Sequence, residues 1–113
     1  MRAATPVMAA LGLMAMAMAA TGAEPVAGEG VYQRWCVHCH STGRGNPGTE
    51  SLQVKYKGSV PAALLERTDL TADVIKVFVR QGVLSMPPFR KTEITDAELG
   101  ALSTWMASGG GKR

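Results

Sequence analysis

The stretch Cys36-Val37-His38-Cys39-His40 holds both cysteines and both histidines of the 113-residue chain. Two residues separate the thiols, so one helical turn can present both sulfur atoms to the same side. C-x-x-C-H is the pattern by which a c-type haem is attached through two thioether bonds. The histidine after the second cysteine then lies under the iron and binds it as the proximal ligand. The motif therefore predicts one covalent haem c, held by Cys36 and Cys39 and ligated by His40.

The same cysteines allow two other interpretations. A C-x-x-C pair can be a redox-active disulfide, but that interpretation expects a βαβ setting, and the chain has no alternating strand pattern. A structural zinc site takes four ligands, usually from two separated pairs. All four candidate ligands lie within residues 36–40, so they cannot easily surround a tetrahedral ion. Haem attachment is the favoured interpretation.

The first 23 residues have the features of a secretory leader. Met1 and Arg2 give a positive start, residues 3–20 are almost wholly Ala, Met, Leu and Val, and residues 21–23 are small enough for a peptidase site. The proline-free apolar run covers residues 7–20, short of the ~20 residues that a spanning helix needs; an uncleaved membrane anchor is the alternative. We therefore expect a signal peptide at 1–23, a cytochrome c domain at 24–113, export to the periplasm, and no stable membrane insertion after cleavage.

The second axial ligand of the iron follows by elimination. His38 shares one short segment with His40, so it cannot reach the opposite face of the haem. Five of the seven methionines belong to the leader, which leaves Met86 and Met106. Met106 falls on the apolar stripe of a helix and is most simply a core residue, whereas two prolines after Met86 forbid helix and stiffen the loop. Met86 is the predicted distal ligand, the alternative being a loop methionine that covers a core. A six-coordinate His/Met iron suits electron transfer.

Four further residues are assigned less directly. The carbonyl of Pro47 can accept a hydrogen bond from the free ring nitrogen of His40 and so orient the imidazole, or it can belong to an ordinary turn. Arg44, Tyr56 and Arg80 can meet the haem propionates, or they can be surface or core residues.

Short apolar faces at helical spacing, separated by Gly and Pro, run along the chain after the leader. This pattern predicts an all-α fold of three to five short helices around the haem. Thr95 and Glu98 form a capping box at the start of the last helix, and Tyr32, Trp35 and Trp105 are expected to pack between the first and last helices. The predicted helices cover residues 28–39, 61–67 and 71–81 and a final one from 95 towards the glycines at 109–111, with a loop at 41–49.

Size and charge limit the possible functions. Without the leader the domain has about 90 residues, and a domain of that size usually needs a cross-link or a bound cofactor for stability. Two cysteines are too few for a disulfide framework. The net charge is only +3, and the chain has no basic stretch dense enough for nucleic acid. A covalent haem would supply the missing core.

The motif at 36–40, a Gly/Pro loop reaching Pro47, the Met86-Pro87 pair and a closing amphipathic helix together resemble class I c-type cytochromes. The resemblance covers nearly all of residues 24–113. It implies a small cytochrome c fold with a single haem, and electron transfer between redox partner proteins as the function.

Three segments add a narrower resemblance. VRQG at 79–82, SMPPFR at 85–90 and ITDAEL at 94–99 are similar to the small cytochrome subunits of flavocytochromes such as p-cresol methylhydroxylase and eugenol hydroxylase. This resemblance implies a flavoprotein partner that oxidises phenolic compounds, with the chain as an electron carrier to the respiratory chain rather than an enzyme. The alternative is a haem enzyme or gas sensor with a labile distal ligand, although the chain lacks a third histidine for acid–base chemistry. Residues 87–89 are the expected partner-facing patch.

Overall fold

The computed structural model describes residues 26–110 and 112. The expected signal peptide at 1–23 lies outside the described residues. Within them the chain forms short helices, and the one β-type contact is an isolated bridge between Val83 and Met86, so the all-α prediction is confirmed. The helices are α1 (Gly28–Trp35), α2 (Val37–His40), α3 (Pro47–Tyr56), α4 (Ala72–Gln81) and α5 (Asp96–Ala107), with a single 3-10 turn at Leu64–Glu66.

The core lies where α5 packs against α1 and α4. Helices α1 and α5 lie close together at Gly28, where an added Cβ would lie 2.5 Å from the Cβ of Trp105. The rings of Tyr32 and Trp105 pack between the two helices with centroids 5.5 Å apart. Met106 is buried, as its place on the apolar stripe predicts. The buried apolar cluster consists of Val31, Tyr32, Ile75, Val79, Ile94, Leu99, Leu102 and Met106.

Helices α4 and α5 begin where the sequence predicts, because each has a local capping signal. The Thr71 hydroxyl accepts a hydrogen bond from the N–H of Val74, and the Thr95 hydroxyl accepts one from the N–H of Glu98. The Glu98 carboxylate accepts a hydrogen bond from the Thr95 N–H at 2.8 Å, which completes the capping box. These bonds satisfy backbone donors that have no partner inside the helix.

Three of the predicted boundaries are wrong. The helix expected over 28–39 is interrupted at Cys36, between α1 and α2. The loop expected over 41–49 ends early, because α3 begins at Pro47, a residue whose fixed φ suits a first helical turn. The helix expected over 61–67 shrinks to the 3-10 turn, since Ala63 is in an extended conformation.

The capping box makes the stability of α5 sensitive to acid. The hydrogen bond from the Thr95 N–H lowers the pKa of Glu98 below its ordinary value of 4.5. Because the folded-state pKa is lowered, the stabilisation is fully present above that ordinary value and is lost as the pH falls through the folded value. When the pH is lowered from about 6 to about 3.5, we expect the Tm of Glu98→Gln to fall by less than the Tm of the unsubstituted protein. Thermal unfolding followed by circular dichroism measures this difference, and parallel Tm profiles would contradict it.

None of the helices in the described residues combines the length and the apolar character needed to cross a membrane.

Candidate haem site

The C-x-x-C-H motif forms one turn of backbone between α1 and α3. The N–H groups of Cys39 and His40 donate to the Cys36 carbonyl at 3.1 and 3.0 Å. Cys36 is half-buried and Cys39 exposed, and no disulfide joins them. The structure thus brings two free thiols and the following imidazole together on a single turn.

His40 is partly buried, and a hydrogen bond from α1 holds its backbone. The Tyr32 hydroxyl donates to the His40 carbonyl at 3.3 Å, which ties α1 to the motif. Burial lowers the pKa of His40 below 6.5, so the imidazole is neutral at ordinary pH, the form in which it binds a metal. Its Nδ1 atom is buried and has no hydrogen-bond partner. With Nδ1 turned into the protein, Nε2 is the ring nitrogen left for iron.

The start of α3 packs against the His40 ring, but through Gly48. A Cβ added at Gly48 would lie 2.7 Å from His40 Cε1 and 2.8 Å from Nδ1. The predicted bond from Nδ1 to the Pro47 carbonyl is not formed, since Nδ1 has no hydrogen-bond partner; Pro47 is instead the first residue of α3. The Thr49 hydroxyl donates to the Ser41 carbonyl at 2.7 Å and fixes α3 to the end of the motif.

The Cys36 thiol does not have the character of a redox-active cysteine. Burial, and next the charge of Cys39, raise the pKa of Cys36 to about 11. A redox-active C-x-x-C pair needs a thiol of lowered pKa, because the thiolate is the nucleophile. Within residues 26–110 and 112, no group of three or more Cys, His, Asp and Glu side chains could hold a metal ion. The raised pKa of Cys36 weighs against a redox-active pair.

Met86 closes a tight two-residue turn. The N–H of Val83 donates to the Met86 carbonyl at 3.1 Å, and the N–H of Met86 returns a bond to the Val83 carbonyl at 2.9 Å. Leu84, the first residue of the turn, is fully exposed and has a φ of 51°. A side chain in this left-handed region costs about 1–2 kcal/mol, so the two flanking bonds hold the turn against local strain. Met86 itself is partly buried and packs against the core.

Residues 86–89, here called the Met86 segment, are attached to the C-terminal end of α4. The N–H of Phe89 donates to the Val79 carbonyl at 2.8 Å. Gly82 ends α4 with a φ of 66°, and a Cβ there would lie 2.6 Å from the Met86 carbonyl oxygen and 2.8 Å from the Pro88 nitrogen. The sequence predicts Gly82 as the end of the helix, but not its close contact with the segment that follows.

Phe89 is only partly exposed, unlike the two prolines of the expected partner-facing patch. Its ring packs edge-on against Trp35, with centroids 5.6 Å apart and an interplanar angle of 71°. Trp35 is partly buried against the core and also contacts Phe89. Pro87 and Pro88 are exposed, as expected. The contact joins the helix before the haem motif to the segment that follows Met86.

The three residues considered for the propionates lie in different surroundings. Arg80 is engaged within the protein, with carbonyl and carboxylate partners. Tyr56 lies near two cations: the Arg67 guanidinium carbon is 4.8 Å and the Lys55 Nζ 5.2 Å from its ring centroid. A hydrogen bond from Arg67, more than any other contact, lowers the pKa of Tyr56. Arg44 is exposed and lines an open cleft at the start of α3.

The residues around the motif fit a haem. A cleft of 220 Å³ opens beside His40 and is lined by Tyr32, Val37 and Leu65 among others. Val74 and Phe78 leave an apolar face of α4 exposed. A porphyrin is a flat and largely apolar ring that would cover such surface, and with Nδ1 of His40 buried, Nε2 would be the ring nitrogen that binds its iron.

An all-α fold that carries C-x-x-C-H on one turn, with a partly buried neutral histidine, defines a cytochrome c domain. A family profile described as "Cytochrome C oxidase, cbb3-type, subunit III" matches residues 23–106, and the chain belongs to this family. None of the curated proteins compared with the chain matches it. As a cytochrome c domain, the chain is an electron-transfer haem protein that carries haem c and acts with redox partners.

Proposed function

We propose that this protein is an exported single-haem carrier, with Cys36 and Cys39 bound to the haem as thioethers, His40 as the proximal ligand and Met86 as the distal ligand. The observation that carries the proposal is the single turn that presents both thiols beside a partly buried, neutral imidazole. The bound iron would supply one-electron exchange between its ferric and ferrous states. The protein would accept single electrons from a redox enzyme in the periplasm and pass them to the respiratory chain.

The protein's own residues contribute position and shielding. Tyr32 and Gly48 hold His40 from opposite elements, α1 and α3. Gly82 and the Val79–Phe89 bond hold the Met86 segment on α4. Rigid ligands on both sides reduce the reorganisation that accompanies each electron transfer, and a filled distal position leaves no open site for oxygen chemistry.

The donor that we propose is a flavoprotein oxidising phenolic compounds. The support is the similarity of segments 79–82, 85–90 and 94–99 to the cytochrome subunits of such enzymes. The family description names an oxidase subunit, which agrees with delivery of electrons towards the respiratory chain. Stopped-flow mixing with a phenol-reduced flavoprotein measures this directly, and a reduction rate no faster than with an unrelated reduced flavoprotein would reject this donor.

Met86→Ala is the test of the distal ligand. We expect the ferric protein to show a weak sulfur-to-iron absorption band that disappears in Met86→Ala, and the variant to bind carbon monoxide readily when reduced. The matched control is Met106→Leu, which alters a buried methionine of α5 and should keep the band. Ready carbon monoxide binding by the unsubstituted protein would instead support a haem enzyme or gas sensor with a labile distal ligand.

Intact-mass measurement of the exported protein tests the remaining parts of the proposal. We expect a mass that has lost residues 1–23 and gained one haem. A protein that keeps the leader would support a membrane anchor. A colourless protein from a host able to attach haem would reject the assignment of Cys36, Cys39 and His40.

A further inference from the structure

The side chain of Arg80 joins three parts of the described chain. Arg80 lies in the last turn of α4. Its Nη1 donates to the carbonyls of Phe89 and Ile94, at 3.1 and 2.8 Å, and its Nη2 donates to Asp96 Oδ1 at 2.8 Å. The side chain is only 23% exposed. One guanidinium thus links the end of α4, the segment after Met86 and the start of α5.

The bonded carbonyls lie on either side of the loop that leads from Met86 to α5. Phe89 comes three residues after Met86, and Ile94 is fully buried just before the Thr95 cap. Pro87 and Pro88 lack N–H groups, so the start of this loop cannot hold itself by backbone donors. Contacts from α4 therefore help to hold the loop. The Val79–Phe89 backbone bond lies near its start, and the Arg80 side chain reaches both ends.

The geometry requires an arginine. The planar guanidinium presents several N–H donors in a fixed fork, so it can serve two carbonyls and a carboxylate at once. Hydrogen bonds from Lys91 and Arg80 lower the pKa of Asp96, and that carboxylate is therefore ionised at neutral pH. With these three partners, Arg80 has an internal role that the sequence does not indicate.

We propose that Arg80 is a positioning residue, which holds the Met86 segment against α4 and α5 and so keeps the Met86 thioether at the iron. The inference rests on the proposed function, in which Met86 is the distal ligand. A thioether is a weak ligand, so its occupancy of the iron depends on how firmly the segment is held. Release of Arg80 increases the fraction of protein in which the distal position is open.

Competition by imidazole at fixed pH measures that open fraction. The apparent affinity of an added ligand is its intrinsic affinity multiplied by the population of the open state. We expect Arg80→Gln to bind imidazole in the ferric state roughly 10- to 100-fold more tightly than the unsubstituted protein, because it loses hydrogen bonds from a charged donor. Arg80→Lys keeps the positive charge but not the forked set of donors, so its imidazole affinity should lie between those of Arg80→Gln and the unsubstituted protein.

Two control variants separate positioning from charge and from general stability. Lys91→Gln removes a cation from the same carboxylate, since Lys91 Nζ is 3.0 Å from Asp96 Oδ2, but leaves both carbonyl bonds intact. Val31→Ala removes buried apolar atoms from α1 and lowers stability without a polar change. Both should keep the imidazole affinity of the unsubstituted protein within about threefold.

Each outcome decides one claim. An unsubstituted protein with no sulfur-to-iron band rejects Met86 as the ligand, and with it the proposed function. If that band is present but Arg80→Gln binds imidazole no more tightly than Lys91→Gln, the positioning role is wrong. The role is equally wrong if Val31→Ala gains as much imidazole affinity as Arg80→Gln. If Arg80→Gln does not fold, the imidazole affinity of Arg80→Lys is compared with the same two control variants instead.

Discussion

Gly28→Ala is expected to destabilise the protein by about 3 kcal/mol, at the upper end of the cost of overpacking a core. The added Cβ would lie 2.5 Å from the Cβ of Trp105 and closer still to the Ala101 carbonyl oxygen. Both of these atoms belong to the fixed part of α5 and cannot turn away as the end of a long side chain would. The substitution therefore forces α1 and α5 apart along the main contact of the core.

Helix propensity acts in the opposite direction but is weaker. Alanine favours a helix over glycine by up to about 1 kcal/mol, and less at the first residue of α1. Gly30→Ala is the matched control, because Gly30 lies on the same helix, is exposed, and has no atom within 4 Å of an added Cβ. We expect Gly30→Ala to be neutral or slightly stabilising.

Urea unfolding at equal protein concentration measures both variants. The expected result is a large drop in the midpoint for Gly28→Ala and none for Gly30→Ala. Equal midpoints for the two variants would show that α1 can shift away from α5 without loss, contrary to the close packing of the two helices.

The elements that the sequence predicts well are those with local signals. Helices α4 and α5 each begin at a threonine whose hydroxyl caps the first turn, and both starting points are confirmed. Such signals depend on residues three or four positions apart, so no knowledge of the tertiary fold is needed to recognise them.

Helix α3 was not predictable in the same way. Its sequence, PGTESLQVKY, offers only Leu52 and Tyr56 as apolar residues one helical turn apart, and its one buried residue is Thr49. A helix with little apolar face obtains its stability from tertiary contacts, here with His40 and Ser41. The signals present in the sequence were Pro47 in the first turn and Glu50 near the N-terminus, both of which are typical of a helix start.

In the candidate site, too, some residues could be predicted from local sequence signals and others could not. Cys36, Cys39 and His40 follow from one motif, and Met86 follows from elimination, since both depend on residue type and spacing. The residues that hold them, such as Gly48, do so through close backbone approach. Contacts of this kind join positions that are distant in sequence, so no local sequence pattern predicts them.

Gly82→Ala is expected to displace Met86 as well as to destabilise the fold. Two costs add at this position. The φ of 66° and ψ of 173° place an alanine in a region of backbone conformation that is essentially confined to glycine, at about 1–3 kcal/mol. The new Cβ would also lie 2.6 Å from the Met86 carbonyl oxygen and 2.9 Å from the Pro87 carbonyl carbon. These are backbone atoms, so the segment itself must move.

Gly58→Ala separates the two costs. Gly58 has a φ of 85° but no atom within 4 Å of an added Cβ. An alanine at this position therefore strains the backbone but makes no close contact with another segment. We expect both variants to lose stability, by roughly 1 kcal/mol in Gly58→Ala and by about 3 kcal/mol in Gly82→Ala. Only Gly82→Ala should also weaken the sulfur-to-iron band and lower the reduction potential, because a thioether ligand favours ferrous iron.

Denaturant unfolding and a spectroscopic redox titration on the two variants give the comparison. If Gly82→Ala lost stability but kept the band and the potential of Gly58→Ala, the Met86 segment would be free to move without releasing its ligand. Loss of the band in Gly82→Ala alone would mean that the end of α4 sets the distance between the thioether and the iron. The potential of the carrier would then depend on a glycine four residues before the ligand, through the close backbone packing at that position.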